Sequence, residues 1–523
     1  MTSEKIEISA EDAEALLDRV KNFSLAQGDY EIIKGLVDTH MLLNQAVTEK
    51  RISIKRLLQM IFGHQTEKTK NIQNSSQKKQ NRPKKQKRTK GHGKKGADDY
   101  VGAETVQIPH STLQHCDPCP ACDDGKLYRQ LLPGVIVRIK GAAPLQATVY
   151  EQEKLRCNIC GKIFTADLPV EAGSQKYDET ASAMLALLRY GSGLPLNRIS
   201  KLQAGMGIPL AASTQWDVIE KMADRIHPAY TELVREAAQG DVIHNDDTTM
   251  KIQELIAENK ENNQKQIRTG IFTTGILSTN NDRRIALFFT GRKHAGENMA
   301  QLLAHRQNCL DPPVQMCDAL SRNSSEEFQT ILANCLTHGR RNFVDVAGDF
   351  PDECLYVLET LRGVYHNDAI TSEEGMTPEQ RLHFHQAKSE PLLEKLYCWL
   401  KNQFNDKKVE PNSSLGKAIK YMLNHWKELT LFLRVAKAPL DNNVCERALK
   451  MAILHRKNSL FYKTEHGAYI GDLFMSLIHT CALSKINPFD YLTALQKNTS
   501  DVFKNPHQWL PWNYQANVAT PAY

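Results

Sequence analysis

"VIHNDDTTMKI", residues 242–252, places two adjacent aspartates, Asp246 and Asp247, inside a run that otherwise reads as a β-strand. Burying an ionised carboxylate costs several kcal/mol unless a cation or a hydrogen-bond donor compensates it. An N-cap, an ion pair, or a metal site completed by distant ligands would each do so. On a two-residue period Asp246 shares a face with Val242, His244, Thr248, Met250 and Ile252. Asp247 shares the other with Ile243, Asn245, Thr249 and Lys251. The second face is the wetter, so Asp247 is expected to be solvated and Asp246 to be the carboxylate that needs a metal.

The flanking texture gives this strand its neighbours. "IRTGIFTTGILST" (267–279) and "RRIALFFTG" (283–291) read as two more strands, "HAGENMAQLLAHR" (294–306) as a helix, and "PVQMCDALSRN" (313–323) as a strand ending near Asp318. Three meandering strands, a crossover helix and another strand begin a ribonuclease-H-like fold. In that topology an aspartate on the first strand meets one at the end of the fourth. A third carboxylate lies in "PLDNNVCERALKMAILHRKNSLF" (439–461), where Asp441, Asn442 or Asn443 can cap a helix with Glu446 in its first turn. Three such carboxylates could hold two Mg²⁺ ions about 3.5–4 Å apart, suited to activating a nucleophile and stabilising a leaving oxygen.

A chain of 523 residues is too long for one core, and two to four domains are expected. Its 41% hydrophobic and 24% charged content is that of a soluble protein. No apolar run approaches the roughly 20 residues of a membrane helix, and the start, "MTSEKIEISAEDAEALL", lacks the layout of a signal peptide. A cytoplasmic location is the expectation. Twelve cysteines in such a chain suggest thiols or metal ligands rather than disulfides, and five of them crowd between 116 and 160.

The formal charge of +6 is unevenly spread. Twelve Lys and Arg, and no acid, fall between Lys68 and Lys95, so the other 54 bases face 60 acids. Here "QKKQNRPKKQKRTKGHGKKG" (77–96), with Lys84, Lys85, Lys87 and Arg88 around Pro83, has no apolar side chains for a core and reads as a flexible arm that lies along phosphates, or as a merely solvated linker. Before it, Ile33, Leu36, His40, Leu43, Val47, Lys50, Ile54, Leu57 and Ile61 make a heptad seam, either a short coiled coil or an amphipathic helix packed on its own domain. After it, Cys119 and Cys122 and then Cys157 and Cys160 form two CxxC knuckles, matching a closed, structural Cys₄ site for Zn²⁺ in a zinc ribbon. "GVIVRIKG" and "QATVYEQEKLRC" alternate as strands between them. Cys116, three residues before Cys119, offers an alternative first knuckle. Neither pair sits in the βαβ pattern that a redox CxxC would have. Residues 178–236 read as a helix, a second helix ending at Gly205 or Gly207, and a third capped by Ser213 or Thr214, a helix-turn-helix pattern.

Taken in order, these motifs resemble the DDE transposases of bacterial insertion sequences, specifically the large transposase of the insertion sequence 66 family. The resemblance runs from about residue 30 to 495. It includes "IKRLLQMIFGHQTEK", the two CxxC pairs, "LPLNRISKLQAGMGIPLAASTQWDVI", "IHNDDTTMKI", "MCDALSRN", "NCLTHGRRNFVDV", "DNNVCERALKMAILHRKNSLF" and "INPFDYL". The family usually has Pro where this chain has Thr249, and Gly-Tyr where it has Ala319-Leu320. The resemblance implies Asp246, Asp318 and Glu446 as catalytic ligands of two Mg²⁺ (or Mn²⁺) ions, and zinc at Cys119, Cys122, Cys157 and Cys160. It also implies that His338, Arg340 and Arg341, on or just before the strand after Asp318, lie near the metals or the DNA backbone. Arg456 and Lys457, about three helical turns beyond Glu446, are candidate phosphate contacts.

The expected architecture is multidomain α+β. A helical or coiled-coil segment (1–66) is followed by a basic linker (67–100), a zinc ribbon (101–175) and a helix-turn-helix-like DNA-binding region (176–238). A ribonuclease-H-like catalytic domain (239–348 and 438–485) carries a helical insertion (349–437), and a C-terminal tail (486–523) ends the chain. The implied function is a transposase that binds the terminal inverted repeats of its element and target DNA, cuts, and transfers strands. The implied setting is bacterial cytoplasm at the nucleoid, as a homo-oligomer with small accessory proteins of the same element and no membrane. The alternative is a non-catalytic DNA-binding protein derived from such an enzyme. For zinc, the purified protein should hold about one equivalent, and Cys157→Ser should release it, since a closed thiolate site contributes folding energy directly. Full zinc retention in that variant rules out the ligand set, and an equal loss with Cys116→Ser shifts the first knuckle.

Overall fold

The protein was analysed as a computed structural model that describes residues 163–261, 268–280, 283–323 and 328–518, shorter stretches between 107 and 158, and residues 19–20, 29–30 and 33–34. The coiled-coil seam beyond Ile33 and the basic arm with Lys84, Lys85, Lys87 and Arg88 lie outside the described residues, as do Cys119, Cys122, Cys157 and Cys160.

Of the ribbon segment, β1 (Lys154–Arg156) pairs antiparallel with β2 (Ile163–Thr165). The strand expected over 146–157 is only this long, because Gln146–Glu153 makes no ladder. Near the first knuckle, Cys116 has φ 74° and its N–H donates to the Leu127 carbonyl at 2.8 Å.

The main sheet has five strands in the order β5-β4-β3-β6-β7. β3 (Val242–Thr249), β4 (Phe272–Asn280) and β5 (Arg283–Gly291) form the antiparallel meander, and β6 (Val314–Cys317) and β7 (Ile331–Asn334) add in parallel on the other side of β3. The expected crossover helix runs Ala295–Leu303. In chain order the helices of this part are α1 (Glu179–Ala186), α2 (Leu196–Gly205), α3 (Ala212–Ala238), α4 (Gln253–Glu261) and α5 (Ala295–Leu303). After β7 comes α6 (Leu336–Val346).

Helices α1 to α3 have no core of their own. Ile219, Met222, Ile226 and Leu233 of α3 join Ile276, Leu287 and Phe288 of the sheet in one apolar cluster. The turn before α3 uses Gly207 at φ 78°, as the glycine pattern implied. The helix itself begins at Ala212 with Ala211 as N-cap, so Ser213 and Thr214 lie within it rather than capping it.

Two compact units divide the chain. One holds α7 (Pro351–Glu373), the C-terminal part of α8 (Pro378–Lys388), α9 (Glu390–Asn405) and α10 (Ser414–Asn424), with α7 packed on α9 and α9 on α10. Their i, i+3, i+4 leucines (Leu358, Leu361, Leu393, Leu396 and Leu400) are buried, as amphipathic helices require. His385 is buried there between the Ser389 hydroxyl at 2.9 Å and Asp368 at 3.2 Å.

The other unit closes the sheet with α11 (Trp426–Leu429), α12 (Asn443–Ser459), α13 (Glu465–Leu483) and α14 (Pro488–Lys497). The segment expected as a tail is packed instead: Tyr491, Leu495, Val502, Trp509 and Tyr514 belong to the main apolar cluster. Apolar residues at helical spacing there have a core to enter.

An unpaired edge strand is a liability, and β5 has its edge sealed by α13. The Thr290 N–H donates to Asp472 at 2.6 Å, the Phe288 N–H to the Ser476 hydroxyl at 3.0 Å, and the Ala286 N–H to the Thr480 hydroxyl at 3.1 Å. The spacing works because four helical residues rise about 6 Å and two strand residues about 6.8 Å, so i, i+4, i+8 on the helix keeps step with alternate strand residues. Asp472 is fully buried in this seam, and burial pushes its carboxyl up to about 7 against the two hydrogen bonds from Thr290. Thr480 also donates to the Ala286 carbonyl at 3.2 Å. Thr480→Val keeps the shape but strips both polar groups of Ala286, and should lower unfolding stability by about 1–3 kcal/mol in urea titration. An unchanged midpoint would mean the seam contributes nothing.

Candidate active site

β3 leaves β6 before it leaves β4. Its parallel register with β6 ends at the pair His244 and Met316, whereas its antiparallel register with β4 continues to Thr249. The sheet therefore forks at Asn245, and Asp246 stands in the fork. Asp318 follows the last residue of β6. Glu446 lies in the first turn of α12.

The approach of α12 depends on a missing side chain. Gly275 is the register partner of Asp246 on β4, and a Cβ there would fall 2.8 Å from Leu449 Cδ2 of α12. The Cys445 thiol donates to the Gly275 carbonyl at 3.3 Å. A lone glycine inside a strand pattern signals such a close approach. The N-terminus of α12 is tied down by Asn442, which is fully buried. Its Nδ2 donates to the Asn245 carbonyl at 3.0 Å, its Oδ1 accepts from His244 Nδ1 at 3.0 Å, and its backbone N–H meets Cys335 Sγ at 3.2 Å. Asn442 is the N-cap by position, but its side chain holds β3 instead of capping the helix. Burial pushes His244 down to about 4, so it is neutral near pH 7 and its Nδ1 carries the proton.

The two aspartates have opposite surroundings. Asp246 is pushed up to about 7, first by burial and then by the negative fields of Asp318, Asp247 and Glu446. The Asp247 N–H, donated to Asp246 Oδ1 at 2.8 Å, opposes this only in part. Asp247 is not solvated, contrary to the expectation from its strand face. Its side chain is only 2% exposed, with Arg322 Nη2 at 3.1 Å from Oδ1 and His294 Nδ1 at 3.3 Å from Oδ2. The polar composition of that face reflects an ion pair under α5 and the turn Ser321–Asn323, rather than water. Phe272 supports both bases, its ring 4.4 Å from that of His294 and 5.7 Å from the Arg322 guanidinium. The clue to Arg322 was its place four residues after Asp318, in the same motif.

The other candidates fall as follows. His338, Arg340 and Arg341 are on α6, not on the strand; β7 is complete at Asn334, and from Leu336 the apolar spacing is helical. Arg456 on α12 is half-buried and spans to the end of β3, donating to Thr248 Oγ1 at 3.1 Å and Thr249 Oγ1 at 2.7 Å. It clasps the first-aspartate strand, which the reading as a phosphate contact had missed. Lys457 is exposed. Among the described residues no helix is long and apolar enough to cross a membrane.

Comparison with known proteins bears on this geometry. The chain is 27% identical over 342 residues to Uncharacterized protein y4jD of Sinorhizobium fredii, covering 64% of this chain and 66% of that protein. It is 25% identical over 447 residues to Uncharacterized protein y4hP of the same organism, covering 81% of this chain and 77% of that one. Residues 175–470 match the description "Transposase IS66 family". That match runs unbroken through the strands before Asp318, the fork at Asp246 and the helix of Glu446, and the chain belongs to the IS66 transposase family.

Proposed function

We propose that the protein is a DDE transposase: it binds the ends of its element, hydrolyses a phosphodiester to free a 3′-hydroxyl, and directs that hydroxyl in line at target DNA. The observation that carries this reading is the electrostatics of Asp246, a half-buried carboxylate at the fork of the sheet whose charged neighbours Asp318, Asp247 and Glu446 all push it the same way. Asp247 has its charge compensated by Arg322 and His294. Asp246, Asp318 and Glu446 would offer an all-oxygen, anionic donor set, which suits Mg²⁺ or Mn²⁺. These three residues would hold two ions, which would supply an activated nucleophile and neutralise charge on the leaving oxygen.

The protein's own part is orientation. The fork at Asn245 opens β3 from β6 for Asp246 and Asp318, Gly275 lets α12 deliver Glu446, and Arg456 fixes the end of β3. The sheet order and the placement of Asp318 just past β6, beside Asp246 where β3 forks from it, support a ribonuclease-H-like domain. On the same reading, 67–100 with Lys84, Lys85, Lys87 and Arg88 is the phosphate-binding arm, 101–175 the zinc ribbon, and 176–238 a DNA-binding region. His338, Arg340, Arg341 and Lys457 are further backbone contacts. Pairing two element ends calls for a homo-oligomer, with accessory proteins of the element as additional partners, in the bacterial cytoplasm.

The test is a labelled DNA end with Mg²⁺. Asp246→Asn, Asp318→Asn and Glu446→Gln should each abolish cleavage while leaving end binding nearly intact, since an amide keeps shape but loses the charge that holds the ion. Asp247→Asn should retain cleavage but lower stability, because Arg322 loses its buried counter-charge. Cleavage surviving in all three carboxylate variants would leave a DNA-binding protein without DDE chemistry.

Stability against pH separates the neighbours without any DNA. Asp246 has its folded pKa raised from 3.8 to about 7, so its contribution is fully present below about pH 4 and is lost as pH rises through about 7. In EDTA the melting temperature should fall over that window, and Asp246→Asn should flatten part of the fall. Asp472, raised in the same direction, keeps the remainder in both proteins. An identical pH profile in the variant would remove the case for a strained, cation-seeking carboxylate.

A further inference from the structure

We infer that Asn245 is a positioning residue that sets the separation of Asp246 and Asp318 where the strand ladder no longer does; this rests on reading those carboxylates as metal ligands. β3 and β6 stop pairing at His244 and Met316, one residue before Asn245. Beyond that point backbone hydrogen bonds cannot fix how far the two aspartates stand apart, and the gap is closed by side-chain amides. Asn245 Nδ2 donates to the Asn323 carbonyl at 2.8 Å, and Gln315 Nε2 donates to Asn245 Oδ1 at 3.0 Å and to the same Asn323 carbonyl at 2.7 Å. Thr330 Oγ1 donates in turn to Gln315 Oε1 at 2.9 Å. Asn323 Nδ2 then donates to Asp318 Oδ1, so the turn that Asn245 grips is the turn that holds the second aspartate.

The backbone of the same residue serves the third carboxylate, because the Asn245 carbonyl accepts from Asn442 Nδ2 at the head of the Glu446 helix. Asn245, Gln315, Asn323 and Asn442 are all fully or almost fully buried. A buried amide is stabilising only when satisfied, and the side-chain amide of Asn245 is satisfied by Gln315 and Asn323, on either side of Asp318, while its backbone carbonyl takes up the Glu446 helix. Three elements distant in sequence thus meet at one residue adjacent to Asp246. No ordinary strand role requires that; a valine at 245 would fill the same interior position and keep the backbone bond to Asn442, but would not grip the Asp318 turn.

The test uses the full-length protein and Mn²⁺ alone, with free Mn²⁺ followed by EPR and melting temperature recorded at each concentration. Asn245→Leu keeps the size but cannot donate or accept, and should weaken Mn²⁺ binding by about 10–100-fold, the range for lost supporting contacts around a metal. Thr480→Val, destabilised at the far edge of the sheet, should bind Mn²⁺ as the wild type does, which separates positioning from general loss of stability. Should Asn245→Leu fail to fold, Asn245→Ser, too short to reach Asn323, is expected to weaken binding in the same direction. Wild-type affinity in the folded Asn245 variant, with binding abolished in Asp246→Asn, overturns the positioning role and leaves the metal reading intact. Mn²⁺ binding that Asp246→Asn does not diminish overturns the metal reading itself.

Discussion

The close approach of α12 to the sheet at Gly275 is the constraint on which the site depends. A helix lying on a strand is normally held off by the side chains between them. Here Leu449 occupies the space a Cβ would take, and the Cys445 thiol reaches the strand's own carbonyl. Glu446 is the next residue after Cys445, so the position of its carboxylate is fixed by a contact made with backbone. The long segment between Asp318 and Glu446 does not need to guide the helix, because Asn442 and Leu440 anchor its start locally, to β3 and to the Leu336 N–H after β7. The start of α12 is thus set by contacts close to it in the fold, whatever length of chain separates Asp318 from Glu446.

Adjacent positions on a strand face opposite ways, and the chain exploits that step to give two chemically identical residues different work. Asp247 is held between Arg322 and His294. Asp246 is surrounded by acids and accumulates unfavourable charge. The distinction is electrostatic rather than one of exposure, and it comes from what packs on each face: the turn of Arg322 and the cap of α5 on one side, the glutamate helix on the other.

Much of this was legible in the sequence. The three meandering strands, the crossover helix and the strand ending at Asp318 follow from periodicity, and Glu446 in the first turn of a helix follows from the run of capping residues before it. What could not be read was which polar residues are buried. Asp247 looked wet because its strand neighbours are polar, yet its partners come from Arg322 and His294, 75 and 47 residues away. Asn442 looked like a helix cap because local sequence offers only that use for its side chain, whereas its partner is the Asn245 carbonyl, 197 residues away. His338 was expected on or just before the strand after Asp318, whereas β7 ends at Asn334 and α6 begins one residue later, after Cys335. Local pattern finds elements, and it is silent about polar bonds between them.

The seam between α13 and β5 bears on how the protein is made. Thr290 and its hydrogen-bond partner Asp472 are 182 residues apart. At bacterial-type synthesis rates of 5–20 residues per second, that interval is on the order of 10–40 s. Throughout it the outer strand of the meander has emerged from the ribosome with its N–H groups unmet, a template for pairing with a neighbouring nascent chain. A copy of the gene interrupted between the codons for Gly291 and Glu465 would leave that template open for good. Its product would carry an exposed, unmet strand edge, the kind of surface that pairs with other chains.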